Sequence, residues 1–149
     1  MEKSFNLSRY KELLKLEANG DITFLDLELL SFKASVAQQM CYNRKKDYFL
    51  LIDEYLNRVI PPYEFRSKFL QIKKEDSKKS IIILEDFKKL EGFTLAKNLE
   101  KFSDLISEIS TLCFEYDEVW DGTMEPMSES EFYSLINNYY LQLQEAFPF

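Results

Sequence analysis

The feature that most constrains the fold is a long run of apolar residues at helical spacing between residues 94 and 116. Apolar side chains recur every three or four positions, as one buried face of an α-helix requires. The members of this run are Leu95, Leu99, Phe102, Leu105, Ile106, Ile109, Leu112, Cys113 and Tyr116. The spacing is close to a heptad and suits packing in a bundle. It predicts a central helix that opens at Thr94.

The rest of the chain shows the same period in shorter segments. Further helices are expected at 7–18, 23–42, 45–57, from Pro62 to about 72, at 81–91 and at 128–146. Asn19 and Gly20 are typical of a helix C-terminus, and Thr23 is a candidate cap for the second helix. Ser128 opens the last helix with a capping box, because Glu131 follows three residues later.

The two adjacent prolines in "LNRVIPPYEFRSKFLQI" predict a rigid corner between helices. A residue before proline is pushed into extended backbone, whereas proline itself fits the first turn of a helix. Pro62 is therefore expected to open a helix. Its apolar side is expected to consist of Tyr63, Phe65, Phe69, Leu70 and Ile72.

The segment "KKEDSKKS" at 73–80 is interpreted as a polar connection or as frayed helix ends. A phosphate-binding patch is the weaker interpretation of its four lysines, because no aromatic or Gly-rich element accompanies them.

Composition supports an all-α fold. The chain has 149 residues, which suits one domain, and only 3 Gly and 4 Pro, too few for a turn-rich all-β fold. It is 46% hydrophobic and has 13 Phe and 9 Tyr, so a bulky aromatic core is expected. The fold class predicted is a single-domain antiparallel helical bundle.

The sequence lacks residues and segments that several functional classes of protein require. There is no histidine, which removes Ser-His and Cys-His pairs and imidazole metal sites, so the chain is not expected to be an enzyme. Cys41 and Cys113 have no metal-ligand spacing and are expected to be buried free thiols rather than a disulfide. No apolar run approaches the roughly 20 residues of a membrane span. The first ten residues lack the apolar core of a signal peptide, and a cytoplasmic protein is expected.

The distribution of charge is more informative than the net charge of −7. Residues 1–101 hold all 19 Lys and Arg against 16 Asp and Glu, whereas residues 102–149 hold 10 acids and no Lys or Arg. Such a surface repels nucleic acid and anionic membranes, and it attracts and steers a basic partner. No nucleic acid or membrane is therefore expected as a partner.

The candidate site is the segment "FEYDEVWDGTMEPMSESE" at 114–131. Acids that surround large apolar side chains are typical of a surface that binds a basic protein, since the acids pair with Lys or Arg and the aromatics form the desolvated centre. The predicted contact residues are Glu115, Tyr116, Asp117, Glu118, Trp120, Asp121 and Glu125. A structural interpretation stays open, with Trp120 in the core, Glu129 and Glu131 favouring a helix N-terminus and the rest a solvated loop.

Two other interpretations of short segments fail on pattern. The loop "DEVWDGTMEPMSE" contains acids and one Gly, but it does not match the EF-hand pattern of acids at alternate positions, a central Gly and a terminal Glu. The segment "NGDITFLDLELLSFKASVAQQM" lacks the turn glycine and the basic recognition helix of a DNA-binding helix-turn-helix. No metal and no cofactor is predicted.

From Asp47 onward the chain resembles the colicin D immunity protein family, which are small, acidic, all-helical bacterial proteins. The resemblance rests on the helix "YFLLIDEYLNRV", the following "YEFRSKFLQI", a long apolar helix, an acidic loop and a last helix introduced by "MSESEFYSLI", and it covers residues 47–144. The chain departs from the family pattern in its two prolines and in about 45 preceding residues.

The resemblance implies a four-helix core over 47–146, with residues 1–45 as an N-terminal helical extension. It also implies an antidote that binds a cognate basic toxin, typically a tRNA-cleaving nuclease, and covers its active site. Acids of the antidote would occupy the positions where the toxin holds RNA phosphates. The alternative is a helical adaptor or regulatory subunit for another basic protein.

Overall fold

The computed structural model describes residues 2–116 and 127–148. These residues form seven helices and one two-stranded antiparallel sheet, and the all-α fold predicted from the sequence is confirmed. The helices are α1 Leu7–Ala18, α2 Leu27–Asn43, α3 Lys45–Leu56, α4 Pro62–Leu84, α5 Phe87–Leu90, α6 Leu99–Glu115 and α7 Glu129–Ala146. The strands are β1 Lys3–Ser4 and β2 Thr94–Leu95.

Four helices form a closed ring around the main core. Helix α3 packs against α4, α4 against α6, α6 against α7, and α7 returns to α3. The central periodic helix α6 buries the face that its sequence predicts, from Leu99 to Cys113. Aromatic rings fill the space between the helices, and the ring of Tyr55 stacks on that of Phe65 with centroids 4.7 Å apart. This aromatic packing holds the ring of helices together.

A second, smaller core lies under α1 and α5. It contains Phe5, Tyr10, Leu13, Leu29, Val36 and Leu90. Helices α2 and α4 run through both cores, because α2 contributes Cys41 to the main core and Leu29 to the smaller one. The N-terminal segment is therefore packed on the ring of helices through α2, which contacts α4 and α6.

The proline corner has the predicted geometry. Pro61 is extended, with φ −75° and ψ 162°, and Pro62 occupies the first turn of α4. Phe65 and Phe69 enter the core as expected. The placement of Tyr63 in the core was wrong, since its side chain is 62% exposed.

The predicted connection at 73–80 was also wrong, because this segment is the middle of the 23-residue helix α4. Lys and Glu are good helix formers, so the backbone has no reason to break here. The apolar period disappears because the buried positions carry Asp76 and Ser80. Asp76 accepts a hydrogen bond from Tyr48 of α3, and the Ser80 hydroxyl donates to the Ser77 carbonyl of its own helix. The helix expected at 81–91 is likewise the end of α4 followed by the separate turn α5.

Two helix starts were misplaced. Thr94 does not open α6, because Thr94 pairs with Ser4 in the small sheet and α6 begins at Leu99. Asn98, in the left-handed region with φ 62°, redirects the chain between the strand and the helix. Helix α2 is capped by Asp26, whose carboxylate accepts from the Leu29 N–H at 3.0 Å, and not by Thr23.

The C-terminal end of α1 and the N-terminal end of α7 lie where the sequence predicts them. Helix α1 ends at Ala18, and Gly20 adopts φ 78°, a conformation that side chains disfavour. Helix α7 starts after Ser128, whose hydroxyl accepts from the Glu131 N–H at 3.1 Å. Among the described residues, no helix is both long enough and apolar enough to span a membrane.

Candidate functional site

The best-defined acidic surface is a line of carboxylates on α6, which we call the α6 acidic stripe: Asp104, Glu108 and Glu115. All three side chains are exposed, and so is Thr111 between them. Positions four, seven and eleven residues after Asp104 lie on one side of a helix. The stripe is therefore straight and roughly 16 Å long, from the rise of about 1.5 Å per residue. Its last member, Glu115, is one of the contact residues predicted from the sequence.

The stripe has no ion-pair partner among the described residues, although Lys101 lies one turn before Asp104 on the same helix. Within residues 2–116 and 127–148, no Lys or Arg forms an ion pair with Asp104, Glu108 or Glu115. Elsewhere the chain pairs its charges, as in the Arg9 contact with Glu28 at 2.6 Å. The difference follows from the sequence, since residues 102–149 contain no Lys or Arg. The negative potential around Glu108 and Glu115 is therefore not cancelled locally.

Helix α7 adds an aromatic side chain to this surface. The Tyr139 hydroxyl donates to Glu108 Oε2 at 3.4 Å. Partial burial raises the pKa of Tyr139, and the nearby negative charge of Glu108 adds to that rise. Tyr139 therefore stays protonated and remains a donor. The surface thus combines carboxylates with a tyrosine edge, a combination common in protein interfaces.

Tyr116, which was predicted to support the partner contact, lies at the end of α6 and packs inward. Its ring stacks on that of Phe132 with centroids 4.4 Å apart and an angle of 10° between the planes. It is half-buried. This stacking fixes the end of α6 against the start of α7.

The remaining predicted contact residues are Asp117, Glu118, Trp120, Asp121 and Glu125, and they lie outside the described residues. The residues on either side of that gap are held on the bundle. Arg66 Nε donates to the Cys113 carbonyl at 2.7 Å in the last turn of α6. On the other side, Met127 packs against the main core and Ser128 caps α7.

Glu129 lies in the first turn of α7 and also makes contacts with the end of α3 that the sequence did not indicate. Its Oε1 accepts a hydrogen bond from the Tyr55 hydroxyl at 3.1 Å and lies 3.7 Å from Arg58 Nη1. Arg58 in turn lies over the Tyr133 ring, 4.6 Å from its centroid. Burial and the charge of Glu129 raise the pKa of Tyr55. Glu129 therefore ties the start of α7 to the end of α3.

A second polar cluster, also missed from the sequence, lies between α3 and α4. The Tyr48 hydroxyl donates to Asp76 Oδ2 at 2.5 Å, and Arg44 Nη1 lies 3.5 Å from Asp76 Oδ1. Arg44 also pairs with Asp47 at 2.6 Å. Burial raises the pKa of Asp76, while its hydrogen bond from Tyr48 and the charge of Arg44 oppose that rise. Asp76 and Tyr48 are buried, and Asp47 is exposed at the edge of the cluster, so the role of the buried contact is to fix the packing of α3 against α4.

The two cysteines are free and buried, as predicted. Burial raises the pKa of Cys41 to about 11 and that of Cys113 to about 12. Both thiols are therefore protonated at neutral pH and poor nucleophiles.

Among the residues that the structure describes, no three Cys, Asp or Glu side chains come together as a candidate metal site.

Comparison of the chain with protein-family models, with curated proteins and with solved structures finds no match in any of the three. The assignment of a function therefore depends on the resemblance noted in the sequence and on the charge and geometry of this surface.

Proposed function

We propose that the protein is an immunity protein that binds and neutralises a basic toxin nuclease, with a tRNA-cleaving ribonuclease as the expected class. The observation that carries the proposal is the α6 acidic stripe, a straight line of carboxylates without ion-pair partners among the described residues. A nuclease that holds RNA phosphates needs several Lys or Arg side chains in its cleft. The stripe offers such a cleft successive carboxylates in place of phosphates.

The chemistry is recognition without catalysis. The negative field of residues 102–149 accelerates the approach of a basic partner. Once docked, Asp104, Glu108 and Glu115 pair with cations of the cleft, and Tyr139 adds apolar contact area beside Glu108. The segment 117–126, which follows the stripe in sequence, supplies Trp120 and further acids to the same partner. Blocking the cleft excludes RNA.

The rigid helical scaffold supports this use of the stripe. Helix α6 is buried along one whole side, and its end is fixed by Tyr116 on Phe132 and by Arg66 on the Cys113 carbonyl. A surface on a rigid element loses little conformational entropy on binding. The stripe is thus preorganised, which suits the tight one-to-one binding that an antidote needs.

The test is affinity capture with three baits. The first is wild type, the second carries Glu108→Lys with Glu115→Lys, and the third carries Glu2→Lys with Glu91→Lys as a control on exposed sites elsewhere. Both double variants change the net charge equally. Wild type and the control should capture a basic protein encoded beside the antidote gene, and the stripe variant should not. Equal capture by all three baits would refute the site.

The identity of the captured protein separates the two candidate functions. A protein that cleaves tRNA and loses that activity in the complex supports the immunity role. A basic protein without nuclease activity supports the alternative, a helical adaptor or regulatory subunit, which needs the same acidic stripe but not a toxin.

A further inference from the structure

A second surface, which is apolar and surrounded by lysines, lies over the smaller core. It is a groove of about 400 Å³ between α1, α2 and the end of α4, closed at one side by α5. Its apolar lining comes from Leu14, Ile81, Leu84 and Phe87. Ile81 is 56% exposed and the adjacent Ile82 is 55% exposed. Apolar side chains clustered in this way on a surface commonly mark a contact site.

Lysines surround this apolar groove. Lys33 of α2 lines it, and Lys11 Nζ lies 5.0 Å from the centroid of the Phe87 ring. Lys78 is exposed one turn before Ile81 and Ile82 on α4. None of these lysines forms an ion pair within the described part of the chain. The lining of the groove contains one carboxylate, that of Glu85. The groove therefore fits an apolar side chain flanked by acids.

The chain itself presents such an element. At the end of α6, Phe114 is 66% exposed and stands beside Glu115, the last carboxylate of the α6 acidic stripe. A second copy of this chain can place Phe114 in the groove and bring the adjacent Glu115 toward the lysines that surround it. Charge complementarity between two surfaces of one chain therefore favours a second copy as the occupant.

We propose that the protein self-associates weakly head to tail, with the α6 acidic stripe and Phe114 of one copy docked in the lysine-lined groove of the next. The two contact surfaces are different, so the association is heterologous and leaves one groove and one stripe open at the ends. The stripe is also the surface assigned to the basic partner. Partner binding and self-association therefore exclude each other, and a bound partner releases single copies.

The test uses the purified chain alone, so its outcome does not depend on the identity of any toxin. Sedimentation velocity is measured from micromolar to millimolar concentration. A stripe variant combines Phe114→Ser with Glu115→Lys, a groove variant combines Lys33→Glu with Ile81→Glu, and Leu141→Glu, at an exposed position on α7, is the matched control. Circular dichroism verifies that each variant is helical, and the single change Lys33→Glu replaces the groove variant if that variant misfolds.

Wild type and the Leu141→Glu control should gain mass with concentration, whereas the stripe and groove variants alone should stay monomeric. An equimolar mixture of these two variants has one intact groove and one intact stripe, so it should form a dimer and nothing larger. The proposal is overturned by a wild type that stays monomeric at every concentration, by a mixture without dimer, or by a stripe or groove variant that associates like wild type.

Discussion

Replacing Tyr48 by Phe removes one hydroxyl from the interior and leaves the ring in place. That hydroxyl donates to Asp76 Oδ2 at 2.5 Å, and Asp76 is only 3% exposed. The nearest other donor to this carboxylate is Arg44 Nη1, at 3.5 Å from Oδ1. The substitution therefore leaves a buried carboxylate without its shortest hydrogen bond.

The size of the effect follows from the charge and burial of the acceptor. A hydrogen bond to a charged group contributes about 1.5–3 kcal/mol. The contact of the Tyr48 ring with Phe69, with centroids 5.2 Å apart, is retained, so no cavity adds to the cost. The free energy of unfolding of Tyr48→Phe should therefore fall by about 1.5–3 kcal/mol, with an unchanged dependence on denaturant.

Urea unfolding followed by far-ultraviolet circular dichroism measures this difference. Tyr63→Phe is the matched control, because the Tyr63 side chain is exposed on the same helix that carries Asp76. A surface change of this kind stays within about 0.5 kcal/mol. If Tyr48→Phe is no more destabilising than Tyr63→Phe, the hydrogen bond between Tyr48 and Asp76 does not stabilise the fold.

The same pair of residues predicts a dependence on pH. Burial raises the pKa of Asp76, and the hydrogen bond from Tyr48 opposes the rise because it favours the charged form. The contribution of this bond is fully present where Asp76 is ionised and declines as the pH falls through the pKa of the folded state. The deficit of Tyr48→Phe should therefore shrink in acid. A deficit that stays constant between neutral and acid pH would contradict this assignment.

Three further predictions concern local structure. Ser128→Ala removes the acceptor that caps α7 and should lower the free energy of unfolding by about 1 kcal/mol in urea melts, whereas Ser130→Ala, inside the helix, should not. Asn98→Val forces a branched side chain into a backbone with φ 62° and should lower the melting temperature, with a cost of about 1–2 kcal/mol, whereas Asn98→Gly should not. Cys41 and Cys113 should react with Ellman's reagent in urea but only slowly in the native state, and rapid labelling without urea would show that they are accessible.

Local signals in the sequence located the helix ends that local contacts determine. Ser128 caps α7 through a bond to the backbone three residues later, and Pro62 opens α4 through its own ring. Features that depend on distant parts of the chain were missed. Thr94 belongs to a strand because Ser4 pairs with it, and nothing near Thr94 in the sequence records that pairing.

Buried polar residues account for the other errors. The segment 73–80 was interpreted as a connection because Asp76 and Ser80 break the apolar period, yet both are buried in α4. Of the residues in the α6 acidic stripe, the sequence interpretation named Glu115 alone, from its neighbours in the acidic segment. Asp104 and Glu108 were not named. Asp104 lies four residues before Glu108, and Glu108 lies seven residues before Glu115, so all three are on one side of the helix. A search of α6 for acids at helical spacing would have found the complete stripe.

The central claim is that the α6 acidic stripe neutralises a basic nuclease, and an inhibition titration tests it most directly. Cleavage of tRNA by the captured toxin domain is measured against increasing amounts of wild type, of the Glu108→Lys, Glu115→Lys variant and of the Glu2→Lys, Glu91→Lys control. Wild type and the control should abolish cleavage at one equivalent, and the stripe variant should need at least ten times more. If the stripe variant inhibits at one equivalent as wild type does, the stripe is not the inhibitory surface.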